Sequence, residues 1–176
     1  MKQITKHFSL IEFIKSRTAA ANNIDNTLQY LPSDHREFIR ENIYHCARML
    51  EAIRTLVDNK PISIRSGYRS PALNKLVGGS ATSQHVYAAA VDIECMGVSN
   101  EDLFRTIINA NDLEWDQCIL EFYDRSDDDP NSGWVHLGCL RYDEIKDYGD
   151  PESYQLPLRR HYLTLPNKGD LAYILK

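Results

Sequence analysis

A chain of 176 residues with 43% hydrophobic and 26% charged side chains has the composition of a soluble globular protein, long enough for one domain with its own core and far from the low-hydrophobicity balance of disorder. Its formal net charge of -5 carries no basic surplus of the kind that draws a protein to phosphate backbones or anionic lipid, so no nucleic-acid partner is expected. No apolar run approaches the ~20 residues of a membrane span, and the opening MKQITKHFSLIEFI lacks the pattern of a signal peptide, so the expectation is a monomer made in the cytoplasm.

In chain order, Ser9 and Glu12 have capping-box spacing ahead of Phe13 and Ile14, which predicts a short helix. Residues 18–33, rich in Asn, Asp and small side chains, read as an irregular connection. From Asp34 the apolar residues Phe38, Ile39, Ile43, Cys46, Ala47, Leu50, Ile53 and Val57 recur at three- and four-residue steps, predicting a long amphipathic helix with Asp34 and Glu37 placed for its cap. Ile62-Ser63-Ile64 predicts a short strand against which that stripe packs.

Ser70-Pro71 and Gly78-Gly79 bracket a helix of one to two turns, and a polar loop follows from Ser80 to Gln84. Ala90–Ile93, Cys118–Phe122 and Trp134–Leu137 read as strands, and Ser99 with Asp102 caps a helix carrying Leu103, Phe104, Ile107 and Ile108. The acidic stretch from Asp124 to Ser132 has turn chemistry suited to a hairpin loop, without the ligand spacing of an EF-hand. The segment 141–176 shows no usable period and has no assigned role. The four cysteines, Cys46, Cys95, Cys118 and Cys139, form no C-x-x-C pair and read as reduced, buried thiols.

The chemistry concentrates in Ser83-Gln84-His85-Val86-Tyr87-Ala88-Ala89-Ala90-Val91-Asp92. An imidazole and a carboxylate seven residues apart, separated by small residues, can return to one point if the backbone doubles back. His136 is the third candidate: on a strand, Trp134 and His136 share one face while Val135 and Leu137 take the other. Two histidines and an aspartate suit Zn(II) and leave a fourth position open, as catalytic sites do. A structural role for each of these residues stays open on spacing alone.

These motifs stand behind Ile64-Arg65-Ser66-Gly67-Tyr68-Arg69-Ser70 and Leu73-Asn74, and ahead of Trp134-Val135-His136. The series resembles the M15 family of zinc D-Ala-D-Ala peptidases, closest to the branch common in bacteriophages, over residues 6 to 139. The resemblance implies an α+β fold with a mixed or antiparallel central sheet and helices packed around a zinc cleft, shared with the hedgehog signalling domain. It implies hydrolysis of an amide bond next to a D-amino acid, with peptidoglycan peptide as substrate.

Two positions depart from the family pattern. Ala88 stands where Gly is usual, a change without serious cost if φ there is negative. Gly133 stands where carboxypeptidase members carry a Glu three residues before the last ligand. Among the remaining carboxylates Glu121 is the candidate base, because its strand is expected beside that of His136 and its neighbours are apolar; a merely structural carboxylate is the alternative. Arg65 and Arg69 are candidates for holding a substrate carboxylate through a guanidinium fork, Arg69 having a structural reading as well. Ser83 is expected to orient substrate or His85. A catalytically silent zinc module of a phage is the second reading of the whole chain, and a Cys-His hydrolase the third.

Overall fold

The computed structural model describes residues 2–123, 129 and 132–139, together with the backbone of the strands at 161–165 and 172–173. Helices α1 (Leu10–Ile14), α2 (Arg17–Ala21) and α3 (Ser33–Leu56) come first. They are followed by β1 (Ile62–Ser66), α4 (Pro71–Leu76), a 3-10 turn (Gln84–Tyr87), β2 (Ala90–Cys95) and α5 (Asn100–Asn109). The strands β3 (Trp115–Glu121), β4 (Trp134–Cys139), β5 (His161–Leu165) and β6 (Ala172–Tyr173) complete the order. The result is α+β, with one sheet in the order β1-β2-β4-β3-β5-β6. Strands β1 to β4 pair antiparallel and β5 joins β3 in parallel, so the sheet is mixed.

Alternation along the strands divides the sheet into two faces. Val91 and Ile93 of β2, Cys118 and Leu120 of β3, and Val135 and Leu137 of β4 point into one core with α3 and α5. Helix α3 supplies Ile39, Ile43, Cys46, Leu50 and Ile53, each fully enclosed, at the three- and four-residue steps that put them on one stripe. Burying each of these larger aliphatic side chains contributes roughly 1.5–3 kcal/mol. The opposite face carries the polar residues of the site.

Two expectations need correction, and one segment that carried no assignment gains strands. Residues 18–33 are not wholly irregular: α2 forms over Arg17–Ala21, started by Ser16, whose hydroxyl accepts from Ala19 N–H at 3.1 Å. Neither Asp34 nor Glu37 caps α3, which begins at Ser33 behind Pro32 with no side-chain cap; Asp34 instead lies in the first turn, where a negative charge favours the helix dipole. Part of the segment 141–176 belongs to the sheet, because β5 lies along β3 from Gln117 to Glu121. Most of the acidic loop from Asp124 to Ser132 lies outside the described residues, though β3 and β4 on either side of it do pair as expected.

Candidate metal centre

The register of the sheet builds a polar rung. Ser66 of β1 lies opposite Asp92 of β2, Asp92 opposite His136 of β4, and His136 opposite Ile119 of β3. A β-bulge between Ile64 and Ser66 sets this row. Ile64 pairs with Ile93, so an unbroken ladder would bring Arg65 opposite Asp92; the inserted residue brings Ser66 there instead. Arg65 is thereby displaced to Glu94, with which it forms an exposed ion pair at 2.9 Å, and it does not line the site.

His85 reaches the rung from the 3-10 turn. Its Nδ1 lies 2.7 Å from the carbonyl oxygen of Gly67. A carbonyl only accepts, so Nδ1 carries the proton and Nε2 presents a lone pair. That Nε2 is 3.2 Å from Asp92 Oδ1 and 3.2 Å from His136 Nδ1, and the latter two atoms are 2.9 Å apart. Tetrahedral coordination with ~2.0–2.1 Å bonds separates neighbouring donors by about 3.3 Å, so the three atoms have the spacing of ligands around one ion. All three residues are buried, where unpaired lone pairs facing each other are costly unless a cation or proton lies between them. The donor set fits zinc.

Burial works to raise the Asp92 carboxyl, but the two neighbouring imidazoles outweigh it and hold the group well below the usual carboxylate range. Burial pushes His85 down from its ordinary value. His136 is raised: burial opposes its charge, but the hydrogen bond and charge of Asp92 prevail.

The backbone at the corner between His85 and Asp92 is left-handed. Ala88 has φ 56° and ψ 22°, so the condition under which alanine would replace glycine without serious cost is not met. A left-handed L-residue costs roughly 1–2 kcal/mol, and tertiary contacts hold it: Asn42 Nδ2 of α3 donates to Tyr87 O at 2.8 Å, and Ala89 N–H to Gln84 O at 3.0 Å.

Around the triad lies a cleft of about 410 Å³ whose walls include Arg69, Ser83, Gln84 and Glu121. Arg69 donates from Nε to Ser66 Oγ at 2.9 Å and from Nη2 to Asp92 Oδ2 at 2.6 Å, so it holds the aspartate oxygen turned away from the histidines. Glu121 lies opposite Trp134, on the same face as His136, and Trp134 Nε1 donates to its Oε2 at 2.8 Å. Burial pushes the Glu121 carboxyl above its ordinary value. Gly133 has φ +69°, and a Cβ there would collide with the carbonyl oxygen of Glu121. Position 133 therefore excludes a glutamate, and the cleft takes its carboxylate from β3.

Sequence reasoning missed Gln84, which lines the cleft, and buried Asp116 of β3, to which Gln84 Nε2 donates at 2.8 Å. Only the polarity of Gln84 beside His85 could have hinted at it.

A family profile described as Peptidase M15 matches residues 6–120 of this sequence. The chain belongs to the peptidase M15 family. The profile covers α1 through nearly all of β3, with two of the triad residues, His85 and Asp92; His136 lies beyond it. The chain is also similar to the zinc D-Ala-D-Ala carboxypeptidase of Streptomyces albus G, at 41% identity over 44 residues. That stretch is 25% of this M15 chain and 17% of the carboxypeptidase, so the chain spans only a small part of that relative.

Proposed function

We propose that this M15 chain is a zinc peptidase that hydrolyses an amide bond beside a D-amino acid in the peptides of bacterial peptidoglycan. The observation that carries the reading is the convergence of three buried ligand atoms, from His85, Asp92 and His136, on the floor of a cleft that also holds Glu121 and Arg69. Zinc in that position supplies Lewis acidity for the scissile carbonyl and makes a water molecule more acidic.

The remaining work falls to the side chains on the walls. Glu121 takes the proton from the attacking water and returns it to the departing amine, a role suited to a carboxyl whose pKa is raised by burial. Trp134 keeps that carboxylate turned toward the cleft. Arg69 fixes Asp92 and offers its remaining N–H groups to a substrate carboxylate or carbonyl oxygen. Ser83 stands on the rim, where its hydroxyl can orient the peptide. Arg65 has no place in this scheme. The joining of β5 to β3 supports a single domain that takes in the C-terminal strand β5, and in this reading that domain acts as a monomer. The resemblance to phage-type members supports a setting in phage lysis or cell entry.

Elemental analysis of the purified protein followed by peptidoglycan digestion with mass analysis of the products tests the reading. One zinc per chain with release of D-amino-acid-linked fragments is the expected result. Stoichiometric zinc with no product would instead favour the catalytically silent module.

A further inference from the structure

The catalytic scheme uses none of the four cysteines, all of which are thiols and all buried. Two of them meet. Sγ of Cys46, on α3, lies 2.7 Å from Sγ of Cys139, the last residue of β4, across 93 positions of sequence. That is only about 0.7 Å beyond the ~2.04 Å disulfide bond, and closer than two unbonded sulfur atoms come to rest. Both side chains already point at each other from fixed elements, and the same backbone receives them: Cys46 Sγ lies 3.5 Å from Ala88 O, and Cys139 Sγ 3.4 Å from Ala89 O. Cys95 and Cys118 have no sulfur within bonding reach among the described contacts.

We propose that Cys46 and Cys139 form a redox-sensitive pair, which a disulfide oxidant such as glutathione disulfide converts to a covalent link between α3 and β4. One thiol, as thiolate, attacks the oxidant's disulfide, forming a mixed disulfide and releasing one glutathione thiol. The second protein thiol then displaces the other glutathione. The protein loses two protons and two electrons, and the oxidant gains them as two thiols. Because the sulfurs are enclosed, the exchange proceeds during folding or from an opened state. In a reducing cytoplasm the pair stays as thiols, and outside it the link forms.

The link would tie α3 to the strand that carries His136, beside the left-handed corner at Ala88. Closing a loop of this length corresponds to a rise in Tm on the order of 10 °C for a chain of this size.

The test refolds the metal-loaded full-length chain in glutathione redox buffer, alkylates free thiols in denaturant and maps the peptides by mass spectrometry. The expected result is one linked peptide joining Cys46 to Cys139, alkylated Cys95 and Cys118, and a Tm that falls by about 10 °C when reductant is added. Cys46→Ala should show no linked peptide and no change of Tm with reductant. Four alkylated cysteines after refolding under oxidising conditions, or a link between any other pair, would overturn the proposal, and the wild-type map decides this even if the variant does not fold.

Discussion

The carbonyl oxygen of Gly67 accepts the Nδ1 hydrogen of His85 at 2.7 Å, and this bond decides which imidazole nitrogen faces the metal position. The carbonyl is itself held from behind. Tyr68 N–H donates to Phe13 O at 2.7 Å, and the space a Cβ on Gly67 would need is filled by the backbone of Phe13 at 2.5–3.1 Å. The short helix α1 thus reaches the site through one turn. Gly67→Ala is expected to push that turn away from α1, misalign His85 and weaken metal binding roughly 10- to 100-fold, the scale seen when an outer partner of a ligating histidine is lost. Competition against a calibrated chelator measures it, and an affinity equal to wild type would show that His85 is oriented by something else.

Glu121→Gln keeps the shape of the side chain and can still receive the Trp134 N–H, but it cannot take a proton. The variant should fold, hold its zinc and lose on the order of 10²-fold or more in kcat on a D-Ala-terminated peptide or peptidoglycan fragment. Unchanged turnover with full zinc would return Glu121 to a structural role beneath Trp134.

Local chemistry made much of the scaffold readable. The pairs Ser70 with Pro71 and Ser99 with Asp102 start the helices they mark, and the alternation in Trp134-Val135-His136-Leu137 separates a core face from a site face. His85, Asp92 and His136 are candidates by residue type and spacing, and it is the resemblance of the ordered motifs to the M15 family that favours one metal locus over separate structural roles. What escaped notice depends on distant partners. Nothing local announces the bulge that puts Ser66 in the place of Arg65, since it arises from how β1 meets β2. Ala88 gives no hint of a positive φ, because its conformation is imposed by α3 and the 3-10 turn. Gln84 and Asp116 are joined only by folding across 32 positions.

That bulge gives the two arginines opposite fates. Arg69→Lys keeps a charge but cannot bond Ser66 and Asp92 together, so KM should rise several-fold and metal affinity fall by about tenfold as Asp92 loses its outer partner. Arg65→Ala removes only an exposed pair with Glu94, a contact worth about 0–1 kcal/mol, and should leave both quantities at wild-type values. Kinetics and chelator competition on the two variants side by side check the assignment; equal losses would mean that the rung is ordered differently in solution.

Asn26 sits in the stretch with the least pattern in the sequence, yet it joins three elements around the site. Its Nδ2 donates to Ile14 O at 2.8 Å and to Tyr68 O at 2.9 Å, while its Oδ1 accepts from Ser70 N–H at 2.7 Å. Asn26→Ala leaves two carbonyls and an N–H without their partner in a buried position and should cost about 3 kcal/mol, or a Tm lower by roughly 6–12 °C. Asn26→Asp separates the donor from the acceptor role. The carboxylate can still accept from Ser70 but faces two carbonyl oxygens, so the folded state favours its protonated form and its folded pKa lies above the unfolded one. The variant's deficit against wild type should therefore be largest at neutral pH and shrink as pH falls through the raised folded value, where the acid regains a proton to donate. Thermal unfolding of both proteins from pH 7 to pH 4 measures the gap, and a deficit that stays constant across that range would mean that the two donated bonds contribute little to holding α1 and α4 beside the metal site.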